Sequence, residues 1–234
     1  MTKNRKLWLL IGLVVAVAAI VAVVAGPRIY ASMQPEAKAP LSVSTPTATS
    51  PTFLATTGQR PDGADDGTWT VASGSQAGYR IDEVLNGADV TVVGRTEKVT
   101  GTATVADGVL TAASVVVDVA SITTDNGNRD SYFRSTALRT SQFPTATFAL
   151  GTPVTLPEIG ANPVEVPVSG TLELAGQTRD VTATLSVVRD GESVSASGAI
   201  PVTVSDYGIQ APDLGFVKVE PAGQVEFLVH LQQQ

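Results

Sequence analysis

Side chains able to do chemistry are scarce in this chain of 234 residues, which has no cysteine and a single histidine, His230. Thiolate nucleophiles, disulfides, Cys-ligated metals and a two-His metal site within one chain are therefore excluded. Ser205-Asp206 sets a hydroxyl beside a carboxylate, but no base lies near it in sequence. A Ser-His-Asp arrangement would have to recruit the distant His230, which strand alternation turns toward solvent. Arg129-Asp130 is an adjacent pair of opposite charges. Stabilising the start of a helix is the favoured reading of that pair, and recognition of a polar headgroup at a cavity mouth is the alternative. No catalytic residue and no metal ligand is assigned, no cofactor is required, and the chain is read as a non-enzyme.

Charge divides unevenly along the chain. Residues 1–60 hold six Lys/Arg and one acidic residue, Glu36, whereas residues 61–234 hold nine Lys/Arg and 21 Asp/Glu, a balance of −12. A body this acidic, with no basic stripe, repels phosphate backbones, so nucleic acid is excluded as a partner.

The N-terminal 30 residues read as a signal anchor. Lys3, Arg5 and Lys6 precede an uncharged apolar run from Leu7 to Ala25, closed by Gly26-Pro27-Arg28. As a helix these residues would span about 28 Å, close to a hydrocarbon core. The basic flank stays cytoplasmic, which places the rest of the chain on the outer side. A cleaved signal peptide is the competing reading, with Val23-Val24-Ala25 as small residues for cleavage, but secretory apolar regions are usually about 7–15 residues. Residues 31–66, rich in Pro, Ser, Thr and Ala, bury too little to offset ordering entropy and read as a disordered tether.

From Gly67 the sequence alternates with period two. Val164, Val166, Val168, Gly170, Leu172 and Leu174 share one face, and Val225, Phe227, Val229 and Leu231 share another. Such faces describe antiparallel strands about one interior. Asp107-Gly108 and Asp190-Gly191 supply hairpin turns. The expected strands are 67–72, 76–84, 90–105, 109–120, 145–155, 164–175, 178–189, 193–204 and 222–231. Long strands in a hairpin series fit an eight-stranded antiparallel up-and-down barrel, lipocalin-like, which leaves no exposed sheet edges. One segment, 125–139, breaks the alternation. It reads as a short helix or helical loop capped by Asn128, with Tyr132, Phe133, Thr136 and Ala137 on one stripe, placed as a lid over one barrel end.

Several motifs occur in order along this body: Gly67-Thr-Trp-Thr-Val71, Val119-Ala-Ser-Ile122 with Asn128-Arg-Asp130 and Arg134-Ser135, Phe143-Pro-Thr-Ala-Thr-Phe148, Gly170-Thr-Leu-Glu-Leu174 with Thr178-Arg179 and Val181, and Ser205-Asp-Tyr-Gly-Ile209. Together they resemble the YceI-like family of bacterial polyisoprenoid-binding, lipocalin-like proteins over residues 67–232. The sequence departs from the family pattern at Tyr132, where a histidine is frequent, and at Asp180, where a proline is usual. The resemblance implies a barrel that encloses a long apolar ligand, typically a polyprenyl chain. Small inward side chains in a barrel of eight strands leave room for one such ligand.

The ligand-binding candidates are Phe133, Phe143 and Phe148 at the covered end, and Val166, Val168, Leu172, Leu174, Phe227 and Val229 along the walls. The same residues would serve equally as a packed core. The function expected is a single-pass protein of the bacterial cell membrane whose extracytoplasmic barrel sequesters or transports a polyisoprenoid or similar amphiphile. Its partners would be that lipid and the membrane, reached through the N-terminal helix, with homo-oligomerisation left open. A solid β-domain serving as an interaction module and a lipid-modifying enzyme are the alternatives.

Overall fold

Alternating inward and outward residues fold the body into a closed antiparallel barrel. The structure, a computed structural model, describes residues 36–44 and 65–234. The expected anchor, residues 1–30, lies outside the described residues, as do 31–35 and 45–64 of the expected tether. Among the described residues no helix is long and apolar enough to cross a membrane.

The strands are β1 (Gly67–Val71), β2 (Gln76–Leu85), β3 (Ala88–Thr96), β4 (Val99–Ala106), β5 (Val109–Asp118), β6 (Thr145–Leu150), β7 (Val154–Thr155), β8 (Val164–Leu174), β9 (Gln177–Asp190), β10 (Ser193–Thr203) and β11 (Val217–Gln233). Two of the barrel's strands are each broken in half. β1 and β2 lie in succession along β11, through Val71↔Leu231 and Phe227↔Ala77. β3 and β4 lie in succession along the opposite side of β2 and β1. Counted this way the ring has eight strands, each paired antiparallel with the next in sequence, and β11 closes it onto β1 and β2.

The differences from expectation are local. The run 90–105 is interrupted at residues 97–98, where the chain steps from β3 into β4. The run 145–155 breaks at residues 151–153, and the short β7 that follows resumes the pairing of β6 with β5 one residue out of register. β11 starts earlier than expected, at Val217, and accommodates the extra length by a register shift between Val219 and Gly223 that includes Pro221. A proline cannot donate to the ladder, and a bulge is one of the places where a sheet tolerates it. Asp107-Gly108 acts as expected, both residues taking positive φ, 53° and 70°, the backbone of a tight two-residue turn, whereas at Asp190-Gly191 the turn falls one residue later, on Gly191-Glu192, because Asp190 still pairs with Ser193.

The segment at 125–139 is helical, but its cap is Asn126 rather than Asn128. The Asn126 side chain accepts from the backbone N–H groups of Asn128 and Arg129 at 2.9 and 3.3 Å, opening α1 (Gly127–Tyr132). α1 then widens into a π-helical turn, Phe133–Ala137, in which Leu138 N–H donates to the Phe133 carbonyl at 2.9 Å. The element packs on β2 through Phe133 on Tyr79 and Arg129 on Glu83, next to β3, whose second edge has only the isolated Arg95↔Thr123 bridge among the described residues.

Residues 36–44, within the span expected as tether, lie across the outer wall of β10, β11, β2 and β3. Val43 N–H donates to Ser197 Oγ at 3.0 Å, the Lys38 carbonyl accepts from Arg80 Nη2 at 2.6 Å, and the Ala39 carbonyl accepts from Arg95. Beneath this strap, Glu226 on β11 is 3% exposed and takes ion pairs from Arg80 and, at 3.2 Å, Arg95. Three cross-strand charged groups on an outer wall avoid an unpaired buried charge only because all are paired.

Candidate functional site

The barrel interior is not filled. Two cavities of about 170 Å³ each lie end to end along its axis. One, the Trp69 chamber, is walled by side chains such as Val105, Leu110, Val187 and Leu231. The other, the Tyr79 chamber, lies under α1 and the π turn, with Ile81, Val92, Ile122 and Val219 among its walls. Ala77, Val117, Ala146 and Val225 line both chambers and so form the waist between them. Two alanines at this level keep the partition between the chambers thin, because a methyl group reaches little way into the lumen. Each chamber is roughly the size that accepts a benzene-sized guest, and a slender chain is the shape that uses both.

Large aromatic residues face the lumen without filling it because glycines lie behind their rings. Phe227 is opposite Gly198 in the β10–β11 register, and a Cβ on Gly198 would stand 2.8 Å from the ring. Tyr79 is opposite Gly94, where a Cβ would be 2.5 Å from its ring. The Phe148 ring lies over Gly170 in the same manner, at 2.8 Å. The rings lie flat on the wall, and the lumen keeps their volume.

Of the nine expected ligand-binding residues, Phe148, Val166, Val168, Leu172, Phe227 and Val229 line the Trp69 chamber. Phe133 and Leu174 line the Tyr79 chamber. Phe143 lines neither: its ring lies over Gly176 in the β8–β9 turn, with the Arg139 guanidinium 5.1 Å from its centroid. Phe143 precedes Pro144 outside β6, so the alternation that aims Phe148 inward does not extend back to it. Sequence reading missed Trp69, 3% exposed in the chamber wall, and Tyr79, which stacks on Phe133 at 4.9 Å between centroids. Both stand on the inward faces of β1 and β2, so alternation held the signal for them.

Each end of the axis carries an ion pair. At the Trp69 end, Arg189 pairs with Asp65 and lies 5.6 Å from the centroid of the Trp69 ring. At the Tyr79 end, Arg129 donates to Glu83 at 2.8 Å and to Asp125 at 2.7 Å. Burial works against the Arg129 charge, but the hydrogen bond and charge of Glu83, with Asp125, outweigh it and raise its pKa. Burial is also what raises the phenol pKa of Tyr79 above its usual value. Arg129 and Asp130 do not pair with each other. Asp130 accepts instead from Thr124, at 2.9 Å from its N–H and 2.7 Å from its hydroxyl. Glu83 lies 46 positions from Arg129, a separation that no local motif reveals.

The chemistry available elsewhere is slight. His230 faces outward, half-buried, with Nδ1 2.8 Å from Ser195 Oγ, its register partner on β10. Ser205 and Asp206 sit in a separate turn before Gly208. Among the described residues no carboxylate hydrogen-bonds to His230, and no cluster of His, Asp or Glu is arranged to hold a metal ion.

The barrel with its two adjoining chambers can be set beside known proteins. The model of the YceI-like domain matches residues 69–231, the whole barrel. The chain belongs to the YceI-like family. Among solved structures it is similar to BcnA of Burkholderia cenocepacia, with TM-score 0.55 and 18% identity over 67% of this chain and 95% of that one. It is also similar to a polyisoprenoid binding domain from Saccharophagus degradans implicated in plant cell wall breakdown, with TM-score 0.57 and 18% identity over 71% and 98%. At such identities the likeness is one of fold. No curated protein matches the sequence.

Proposed function

We propose that this YceI-like protein is a membrane-tethered, extracytoplasmic carrier that holds a polyisoprenoid or similar long apolar amphiphile along the barrel axis. The observation that carries the reading is the pair of apolar chambers inside the barrel, which share the walls of Ala77, Val117, Ala146 and Val225. Transfer of each CH₂ group from water into such walls contributes about 0.8 kcal/mol, so affinity grows with chain length and needs no polar chemistry. The Saccharophagus degradans relative, a polyisoprenoid binding domain, agrees with this ligand class. The N-terminal run Leu7–Ala25 supplies the membrane tether and holds the barrel near the bilayer in which such a ligand dissolves.

Binding here is storage or transport without turnover: the carboxylates in the chamber walls, Asp65 and Glu83, are each held by an arginine, Arg189 and Arg129. Trp69 provides the test, because it lines the chamber and Trp8 is the chain's other tryptophan. In a Trp8→Phe background, titration with a polyprenyl alcohol or quinone is expected to change Trp69 emission saturably, with affinity rising as isoprene units are added. An emission that ignores every chain length would refute the carrier reading.

A further inference from the structure

The three exposed large apolar side chains among the described residues are associated with one end of the barrel. They are Tyr132, 37% exposed, Phe216, 58%, and Leu214, 62%. Tyr132 lines the Tyr79 chamber, and Leu214 and Phe216 belong to the loop whose Ile209, Gln210, Ala211 and Pro212 also line it. The Phe216 carbonyl accepts from Asn86 N–H at 2.7 Å, which brings the tip of the β2–β3 hairpin to the same end. The tips at the opposite end, Asp107-Gly108 and Asp190-Gly191-Glu192, are polar.

The strap docks on the middle of the wall and so limits how the barrel can stand relative to the apolar run. Its Lys38 and Ala39 carbonyls are held by Arg80 and Arg95, on the two strands that form that hairpin. Arg80 stands five residues before Leu85, the last residue of β2, about 17 Å along the strand. If the tether ran free to Asp65, the 39 residues 26–64 would allow about 130 Å between the apolar run and the barrel. With residues 36–44 docked, the ten residues 26–35 allow at most about 35 Å.

We propose that the Tyr79 end is a bilayer-docking mouth: Leu214 and Phe216 enter the interface of a lipid surface, and the strap holds the barrel so that this end faces it. The proposal rests on the carrier reading for its purpose, since it makes the lid end the door through which an apolar ligand passes between bilayer and chamber. A second copy of the chain is a poorer occupant, because three side chains fall far short of the roughly 1,000 Å² that a specific protein interface buries. The charged residues on the elements at this end are Asp213, Lys218 and Glu220 on the loop and β11, Asp82, Glu83 and Asp89 on the hairpin, and Asp125, Arg129, Asp130, Arg134 and Arg139 on the lid segment. With acidic residues outnumbering basic ones among them, the surface suits zwitterionic lipid and disfavours anionic lipid.

The absence of cysteine makes the test clean. The full chain is placed in phosphatidylcholine nanodiscs carrying doxyl-labelled lipid, with a fluorophore on Asp213→Cys at the mouth or on Glu192→Cys at the opposite end. Lipid quenching is expected at position 213 and not at 192, and is expected to fall several-fold in Leu214→Ser/Phe216→Ser. Replacing residues 36–44 by a Gly/Ser run of equal length is expected to weaken it as well. Equal quenching at both positions, or none at 213, overturns the docking mouth, and quenching unchanged by the strap replacement overturns the strap's part in it. These measurements use no added isoprenoid, so failure of the Trp69 titration with quenching intact would count against the carrier reading alone.

Discussion

Phe227 on β11 and Gly198 on β10 are direct register partners, and the Phe227 ring occupies the space that a Gly198 side chain would need. The pairing lets an aromatic residue face the lumen while leaving the lumen open. A β-branched residue at 198 would push the ring tip inward and into the chamber. Gly198→Val is therefore expected to fold, at a cost of about 1–3 kcal/mol from overpacking, and to lose affinity for long isoprenoids at least tenfold. Affinity and denaturation measured on the same samples separate the two effects.

The waist predicts selection by chain length. Ala146 is 8% exposed and borders both chambers. A Phe in its place would separate them, so Ala146→Phe should still bind a short amphiphile while the gain in affinity with added isoprene units disappears. A variant that retains the full chain-length dependence would show that ligand does not thread the waist.

Lid and barrel are joined by Arg129 and Glu83, whose side chain is 6% exposed. Removing the guanidinium leaves a buried carboxylate without its partner, so Arg129→Ala is expected to destabilise the fold by about 3 kcal/mol. The double variant Arg129→Met/Glu83→Met should recover most of that loss. Chemical denaturation of the single and double variants is the check. If the lid gates exchange, ligand should also leave the single variant faster.

Stability should fall in alkali through Tyr79. Burial is the main cause that raises its pKa, carboxylates at Asp130, Glu83 and Asp125 add to it, and Arg129 opposes them. The folded state therefore keeps a phenolic proton that the unfolded chain releases near pH 10. The contribution is complete below about pH 10 and is lost as pH rises beyond it. Tyr207 shifts in the same direction through its own burial, so Tyr79→Phe should flatten the decline between pH 9.5 and 11 without abolishing it.

Strand faces were readable from the sequence because alternation is a local signal: Val166, Val168, Leu172 and Val229 point inward where period two puts them. Two boundaries were misplaced for opposite reasons. Strand-forming residues flank Glu97-Lys98 closely on both sides although the ladder breaks there, and alternation fades at Pro221 although β11 continues through a bulge. The lid's polar contacts were not readable, since Arg129 reaches across the fold to Glu83 and its sequence neighbour Asp130 turns to Thr124. The strap was least readable of all. Residues 36–44 have a tether's composition, and they are held through backbone groups by Arg80, Arg95 and Ser197, which no side-chain pattern in the strap encodes.

The most direct test of the carrier reading is to find what the barrel holds when taken from its own host. Native mass spectrometry of the purified protein, followed by solvent extraction, should give a discrete bound mass with polyprenyl fragmentation, and Ala146→Phe should lower its occupancy or shorten its chain. A wild-type barrel that emerges empty, and stays empty when offered isoprenoid quinones and polyprenyl alcohols, would contradict the account.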